Sequence, residues 1–385
     1  MNIVRWMAMA TKIKAEATAM FMHCKNYFLF LISAVGLLLI NTTHAEPYLA
    51  IKNNVQCSAC HINPAGGGAR TTYGAYYGTH ILPQTAGSLD LFDAGKFGET
   101  LRIGADLRTN YYQSDRDEGE DTRGFETQSG QLYVVLQPKD SRFSLYIDEQ
   151  IAPGGALNRE TFILTKLNGQ HFLKAGRIML PYGIRLEDDS AFIRQASGFN
   201  FDTGDNGVEL GLQYTKTLFN FAISNGSSGL NNDDKNLQFL ARSEYLGNNW
   251  RIGATALYND AEAGARTQAN LFGGFVWQGF VFLAEADLIE DESIENIPDE
   301  YQEQRVGLLE VNREISKGYN IKLTTEYLDP DTNIDENHRV RHSLLLEYTP
   351  FANLQIRGGL RKGDDIPQRD TGNYLDFFAQ LHFYY

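Results

Sequence analysis

Two thiols and an imidazole stand together in this sequence, in the run Cys57-Ser-Ala-Cys60-His61. Thiols three positions apart can reach the two vinyl groups on one edge of a porphyrin. The imidazole of the next residue then lies against the iron as proximal ligand. The spacing therefore predicts covalent attachment of one haem c, with His61 on the metal. Three other chemistries compete. A structural zinc site wants four ligands, and no second cysteine pair exists. A redox C-x-x-C usually sits in a βαβ setting, and none is visible. A disulfide in an oxidising compartment is the remaining competitor, and it leaves His61 without a role.

The neighbouring residues suit a flat cofactor. Pro64 and the three glycines Gly66 to Gly68 allow tight turns against it. Arg70 is a candidate partner for a haem propionate, since a guanidinium pairs well with carboxylates; a solvated charge is the alternative. Tyr73, Tyr76 and Tyr77 are expected to pack on the porphyrin or on neighbouring strands. For the second axial position on the iron, His80 is the expected ligand, because it lies in the same short segment and can fold back. Beyond residue 45 the other histidines are His171, His338, His342 and His382, and the one methionine is Met179.

The elements that must position this group begin after a leader. Tyr27 to Ile40 is a 14-residue apolar run behind Lys25, followed by Thr43-His44-Ala45. A basic flank, a short apolar core and a small-x-small ending make a secretory signal peptide. The run falls short of the roughly 20 residues of a spanning helix, which weighs against an uncleaved anchor. Met20 or Met22 is an alternative start. Cleavage after Ala45 removes Cys24 and leaves an exported chain. The whole chain of 385 residues has a net charge of −14 and no basic stripe, which gives nucleic-acid binding no electrostatic footing. With 43% apolar residues, intrinsic disorder is excluded, and a polytopic helical membrane protein is excluded by having one long apolar run.

From about Glu99 onward, polar and apolar residues alternate. Leu101, Ile103, Ala105 and Leu107 interleave with Arg102, Gly104, Asp106 and Arg108; Trp250, Ile252, Ala254 and Ala256 oppose Arg251 and Thr255. One face meets an apolar medium and the other meets water. Sixteen such runs are legible: 99–113, 126–137, 142–151, 157–167, 171–179, 207–215, 218–225, 236–245, 250–259, 266–277, 279–288, 302–314, 319–328, 338–348, 352–361 and 373–385. Tight turns such as Lys139-Asp-Ser and Gly247-Asn-Asn alternate with longer, mostly acidic loops. An even count with short turns on one side and long loops on the other predicts an all-β, closed transmembrane antiparallel barrel. Closure matters because open edges in hydrocarbon leave backbone groups unpaired, at several kcal/mol each. The expected organisation is a signal peptide at 1–45, a c-type haem-binding segment or plug at 46–98, and an outer-membrane barrel at 99–385.

The final strand, with Leu375, Phe377, Ala379, Leu381, Phe383 and Tyr385 on one face, resembles the terminal strand of Gram-negative outer-membrane porins. That resemblance implies recognition by the barrel assembly machinery and an outer-membrane location in contact with lipid. Gly176-Arg-Ile-Met-Leu-Pro-Tyr-Gly183 resembles a strand end and loop start of substrate-selective porins. The loop from Leu180 to Asp205, with Arg185, Glu187, Asp188, Asp189 and Arg194, is accordingly expected to fold inward as a constriction, with a solvated outer loop as the alternative. The N-terminal block resembles monohaem c-type cytochromes at Cys57, Cys60 and His61 alone. With an even strand count both chain ends of the barrel lie on the periplasmic side, so the haem segment is expected there. His382 is then the second choice of distal ligand, and Met179 is a poor one unless the haem rises through the pore.

Two functional classes follow. In one, the chain is a cytochrome–porin fusion: its haem iron cycles between ferrous and ferric, and periplasmic or extracellular cytochromes are its partners. The apolar band is about 25 Å tall, too tall for one haem to bridge, so such a partner is required. In the other, the barrel is a diffusion channel whose haem is structural, sensory or gating, and whose Arg102, Arg108, Arg251, Arg357 and Arg361 admit anions. Peroxidase chemistry needs a positioned acid–base group, and no motif shows one. An electron carrier or channel is expected, not a catalyst.

Overall fold

The computed structural model describes residues 46–86, 95–200, 202–228, 232, 234–262, 264–292, 301–365 and 372–385; the expected leader lies outside the described residues. A two-residue strand, β1 (Lys96–Phe97), pairs with the start of β2 (Leu101–Arg116). The chain then meanders through β3 (Thr122–Leu136), β4 (Phe143–Ala152), β5 (Leu157–Lys166), β6 (Phe172–Ile178), β7 (Asp205–Gln213), β8 (Thr217–Ser224) and β9 (Gln238–Leu246). It continues through β10 (Trp250–Ala261), β11 (Gly264–Trp277), β12 (Phe280–Glu292), β13 (Tyr301–Ser316), β14 (Tyr319–Asp329), β15 (Arg339–Phe351), β16 (Leu354–Asp365) and β17 (Tyr374–Tyr384).

Each strand from β2 to β17 pairs antiparallel with the next. The ring closes where β17 meets β2, from Tyr374 opposite Arg116 to Tyr384 opposite Asp106. The sixteen strands expected from the alternation are the sixteen staves of this barrel. Several reach further than the apolar pattern alone suggests. β12 runs to Glu292, because backbone pairing continues after the outward residues turn polar at Glu290 and leave the lipid-facing band.

The packing is inverted relative to a water-soluble domain. On β11, outward Leu271 is 63% exposed while inward Gln268 is 2% exposed. Outward faces carry Leu, Ile, Phe and Trp, and inward faces carry Asp106, Glu244, Asn312, Glu347 and Arg357 among many buried polar groups. Hydrocarbon solvates the first set, and ion pairs with hydrogen bonds satisfy the second. Trp250, Trp277, Phe275 and Phe280 gather at the short-turn end of the wall, an aromatic girdle at a membrane interface. The turn between β11 and β12 shows why that end is tight. Gln278 and Gly279 both have positive φ, at 48° and 78°, the two-residue geometry whose twist matches the flanking strands.

One expectation from alternation is modified. The inward face is not uniformly polar: Phe272, Val281 and Leu283 form one apolar patch, and Tyr133, Val135, Tyr146 and Phe162 belong to another. Against the first sits α1 (Pro47–Lys52), through Tyr48, Leu49 and Ile51, all buried. At those positions the inward face meets protein instead of water. The segment 46–86 therefore occupies the lumen. Several of its contacts fall on short-turn ends of strands: Gln56 Nε2 donates to the Tyr214 carbonyl at 2.9 Å and Ser58 Oγ to Gln213 at 3.3 Å. The Gln84 and Thr85 N–H groups donate to the Thr349 and Pro350 carbonyls, at 2.8 and 3.1 Å, where the segment leaves by that rim. Glu46 pairs with Lys322 and with Arg357, the latter at 3.5 Å, and Lys52 pairs with Glu314.

Candidate functional site

The two cysteines bracket a single helical turn, α2 (Cys57–Cys60), and the His61 N–H closes it on the Cys57 carbonyl at 2.9 Å. His61 then turns extended and bridges antiparallel to Arg70. The eight residues between form a small loop, closed by Ile62 N–H to Ala69 C=O at 2.9 Å. Thr71 ties this loop to the next element. Its N–H donates to the Cys60 carbonyl at 3.0 Å, its hydroxyl donates to the Ala59 carbonyl at 2.7 Å, and the same oxygen accepts the Gly74 N–H at 3.1 Å. That last bond caps α3 (Thr72–Tyr76). Sequence-local chemistry thus presents both thiols and the imidazole from one compact hairpin.

The loop is held to the barrel by charge. Asn63, fully buried, donates from Nδ2 to Glu160 Oε2 at 2.7 Å. Lys174 Nζ lies 3.4 Å from Asn63 Oδ1 and 2.6 Å from Glu209. Arg185 reaches Glu160 at 3.1 Å. Of these groups the sequence marks Arg185, as a charge of the inward loop, and not Asn63, Glu160, Lys174 or Glu209. Their one signal is parity: Glu160, Lys174 and Glu209 fall on inward positions of β5, β6 and β7, with no hint of the partner each would meet. Gly68 has φ +62°, and a Cβ there would lie 1.8 Å from the Tyr146 hydroxyl. Gly68→Ala is therefore expected to weaken docking of the segment by about 1–3 kcal/mol, through overpacking as well as backbone strain. The check is limited proteolysis of the folded barrel, with faster cleavage within 46–86 as the expected result.

Between the segment and the barrel lies a cavity of about 290 Å³, with Cys57, Cys60, His61 and Arg70 on its wall. Both cysteines are unpaired thiols, and burial pushes both thiol pKa values up. Burial, then the charges of Arg70 and Arg185, lowers the His61 imidazole to about 4, so it is neutral at pH 7. The ring meets the Gly67 and Gly68 backbone, and its Nδ1 is buried without a hydrogen-bond partner among the described residues. A neutral ring with an unsatisfied buried nitrogen, beside two unpaired thiols one turn apart, is the donor set that a covalently attached haem would use. The residues present fit that group: Cys57 and Cys60 would carry it and His61 would ligate its iron. Arg70 holds its guanidinium 4.3 Å above the Tyr384 ring, on the same wall.

His80 is placed elsewhere. The cavity wall runs through Tyr73, Gly74 and Tyr77 but not through His80. A regular α-helix would return position 80 to the face of position 73. Here α3 passes into a π-turn, Tyr77–Ile81, whose wider winding rotates His80 away. Its ring stacks on Tyr76 at 4.7 Å, and its Nδ1 is 2.7 Å from Thr79 Oγ1. His382 does line the cavity, but its ring is engaged at both nitrogens, with Gln355 at 3.0 Å and Asp106 at 2.7 Å.

The long loop between β6 and β7 turns inward and crosses to the far wall. The Ile184 and Phe192 N–H groups donate to Glu285 and Glu326, at 2.6 and 2.8 Å. Gly183, at φ +49°, has no room for a Cβ, which would fall 1.9 Å from Glu285 Oε1. A four-residue helix, α4 (Phe192–Gln195), packs Ile193 into the same apolar patch as α1. The loop carboxylates meet the lumen arginines. Glu187 pairs with Arg108 and, at 3.3 Å, with Arg357; Asp188 pairs with Arg361. Burial alone would raise the Asp188 carboxyl, but Arg361 and Arg341 hold it well below the usual carboxylate range. Arg251 is likewise paired, with Glu244 at 3.1 Å. Four of the five arginines expected to attract anions are thus compensated by carboxylates.

The closed sixteen-stranded wall, apolar outside and polar within, has the fold of porin-like outer-membrane β-barrels. Solved structures agree. The chain superposes on a loop-deletion mutant of OmpT, an outer membrane protein of Vibrio cholerae, with TM-score 0.58 and 14% identity over 74% of this chain and 99% of that one. An anion-selective porin from Comamonas acidovorans gives TM-score 0.56 and 9% identity, over 74% and 99%. The outer membrane channel DcaP of Acinetobacter baumannii gives 0.56 and 12%, over 75% and 100%. No family model and no curated protein matches the sequence.

Proposed function

We propose that this chain is an outer-membrane c-type cytochrome–porin fusion, an electron carrier whose single covalent haem is held inside the lumen by the N-terminal segment. The observation behind this reading is the half-buried His61, neutral at pH 7, beside the Cys57 and Cys60 thiols on one cavity wall. Haem c bound there would supply one-electron ferrous–ferric chemistry.

The chain's own residues explain the rest. The Asn63–Glu160 bond and the Thr71 contacts fix the loop that carries the ligands. The inward loop and α1 line one side of the cavity, and Arg70 offers a cation toward carboxylates within it. The segment leaves the lumen by the short-turn rim at Thr349, the periplasmic end in this topology, so a soluble periplasmic cytochrome is the partner on that face. One electron leaves this chain for each electron the partner gains. The direct test mixes the dithionite-reduced protein, freed of excess reductant and held in detergent, with an oxidised soluble c-type cytochrome in a stopped-flow instrument. Matched oxidation of one and reduction of the other is expected; no exchange overturns the assignment.

The likeness to an anion-selective porin favours a second reading, a diffusion channel with a structural or gating haem. Anion-selective conductance that ignores the redox state would support it.

A further inference from the structure

We infer that the thioether of Met179 is the sixth ligand of the iron held by His61; this rests on the haem reading above. Three observations converge. First, Met179 lines the same cavity as Cys57, Cys60 and His61, and it is 4% exposed. Second, one carboxylate holds both sides together. Glu160 Oε1 accepts the Met179 backbone N–H at 3.0 Å, while Glu160 Oε2 accepts from Asn63, two residues beyond His61, at 2.7 Å. The methionine and the ligand loop are therefore fixed to one side chain, on β5. Third, the histidines are spoken for. His80 is not on the wall, and His382 uses both ring nitrogens on Gln355 and Asp106. His171 lies outside the wall and accepts the Gln213 N–H, at 3.0 Å, on a short turn. His338 and His342 lie at and within β15 and are not on the wall either.

Chemistry agrees with placement. A thioether stays uncharged and needs no deprotonation, so it suits a wall already crowded with guanidinium groups. The Met179 sulfur lies 3.8 Å from Arg194 Nη2, a long contact. A soft sulfur ligand opposite a histidine also raises the reduction potential relative to paired nitrogen ligands.

The test uses the full chain, purified from outer membranes, as wild type, Met179→Ala, Met179→His and His80→Ala. Barrel folding is checked by heat-modifiable gel mobility, and covalent haem by the alkaline pyridine spectrum. The wild-type ferric protein is expected to show the far-red sulfur-to-iron charge-transfer band. Met179→Ala should keep covalent haem, lose that band and turn high-spin. Met179→His should stay low-spin without the band, at a lower midpoint potential. His80→Ala should match wild type. A wild-type spectrum with covalent haem but no such band overturns the ligand and leaves the haem reading standing, as does loss of low-spin character in His80→Ala alone. Absence of covalent haem from the wild type overturns both.

Discussion

A Cys57→Ala, Cys60→Ala chain is expected to fold into the same barrel and to lose all covalently bound haem. The two side chains are small, sit on one four-residue turn and make no hydrogen bond on which the loop depends; the closures at His61 and Thr71 use backbone carbonyls. Attachment by two thioether bonds, in contrast, has no substitute in the chain, because the one other cysteine, Cys24, stands alone and more than thirty residues away. The reduced-minus-oxidised visible spectrum of the purified membrane form is the measurement. A sharp low-spin c-type spectrum in wild type, absent from the variant, is the expected pair of results. A high-spin wild-type spectrum would signal an open iron position and turn attention to ligand sensing or peroxidase chemistry. No haem in wild type would leave a porin whose two cysteines form a disulfide.

Removing residues 47–86 from the exported chain is expected to convert a blocked barrel into a conducting one. Sixteen-stranded barrels enclose an aqueous channel when nothing fills them. Here α1 covers the inward patch of Phe272, Val281 and Leu283, and the segment extends from there to the rim at Thr349. The wall itself is closed by strand pairing that does not involve these residues, so it should persist. Single-channel recordings in planar bilayers should show conductance on the order of tenfold above the intact chain, on the size scaling of barrels. Equal conductance from the two chains would mean that the segment does not limit flow. The deletion also uncovers an apolar patch inside a wet lumen, and reduced heat resistance is its expected side effect.

The inward loop makes the ion preference of the opened barrel informative. Glu187 and Asp188 still cover Arg108, Arg357 and Arg361 in the deletion chain. Selectivity should therefore be weak until those carboxylates are removed. This follows from pairing, because a compensated arginine leaves little net field in the pore.

The parts that could be read without coordinates are those whose physics is local. Period-two alternation depends on neighbours two residues apart, and it placed all sixteen strands near their observed bounds, including the aromatic last one. The Cys57, Cys60 and His61 spacing is likewise local, since it describes reach along one turn of chain. Parity told which charged side chains face inward, so Glu160 and Lys174 were legible as lumen residues but not as partners. Tertiary structure alone decided the rest. Phe272, Val281 and Leu283 break the polar lumen pattern because α1, more than two hundred residues earlier, docks on them. His80 leaves the cavity face because a π-turn interrupts its helix, a winding no residue type announces. Glu160 joins Asn63 to Met179 because pairing of β5 with β6 sets it beside the start of the long loop and the segment enters the lumen against it. Local periodicity determines what each strand shows to lipid and to lumen; which groups meet inside depends on closure, and closure is a property of the whole ring.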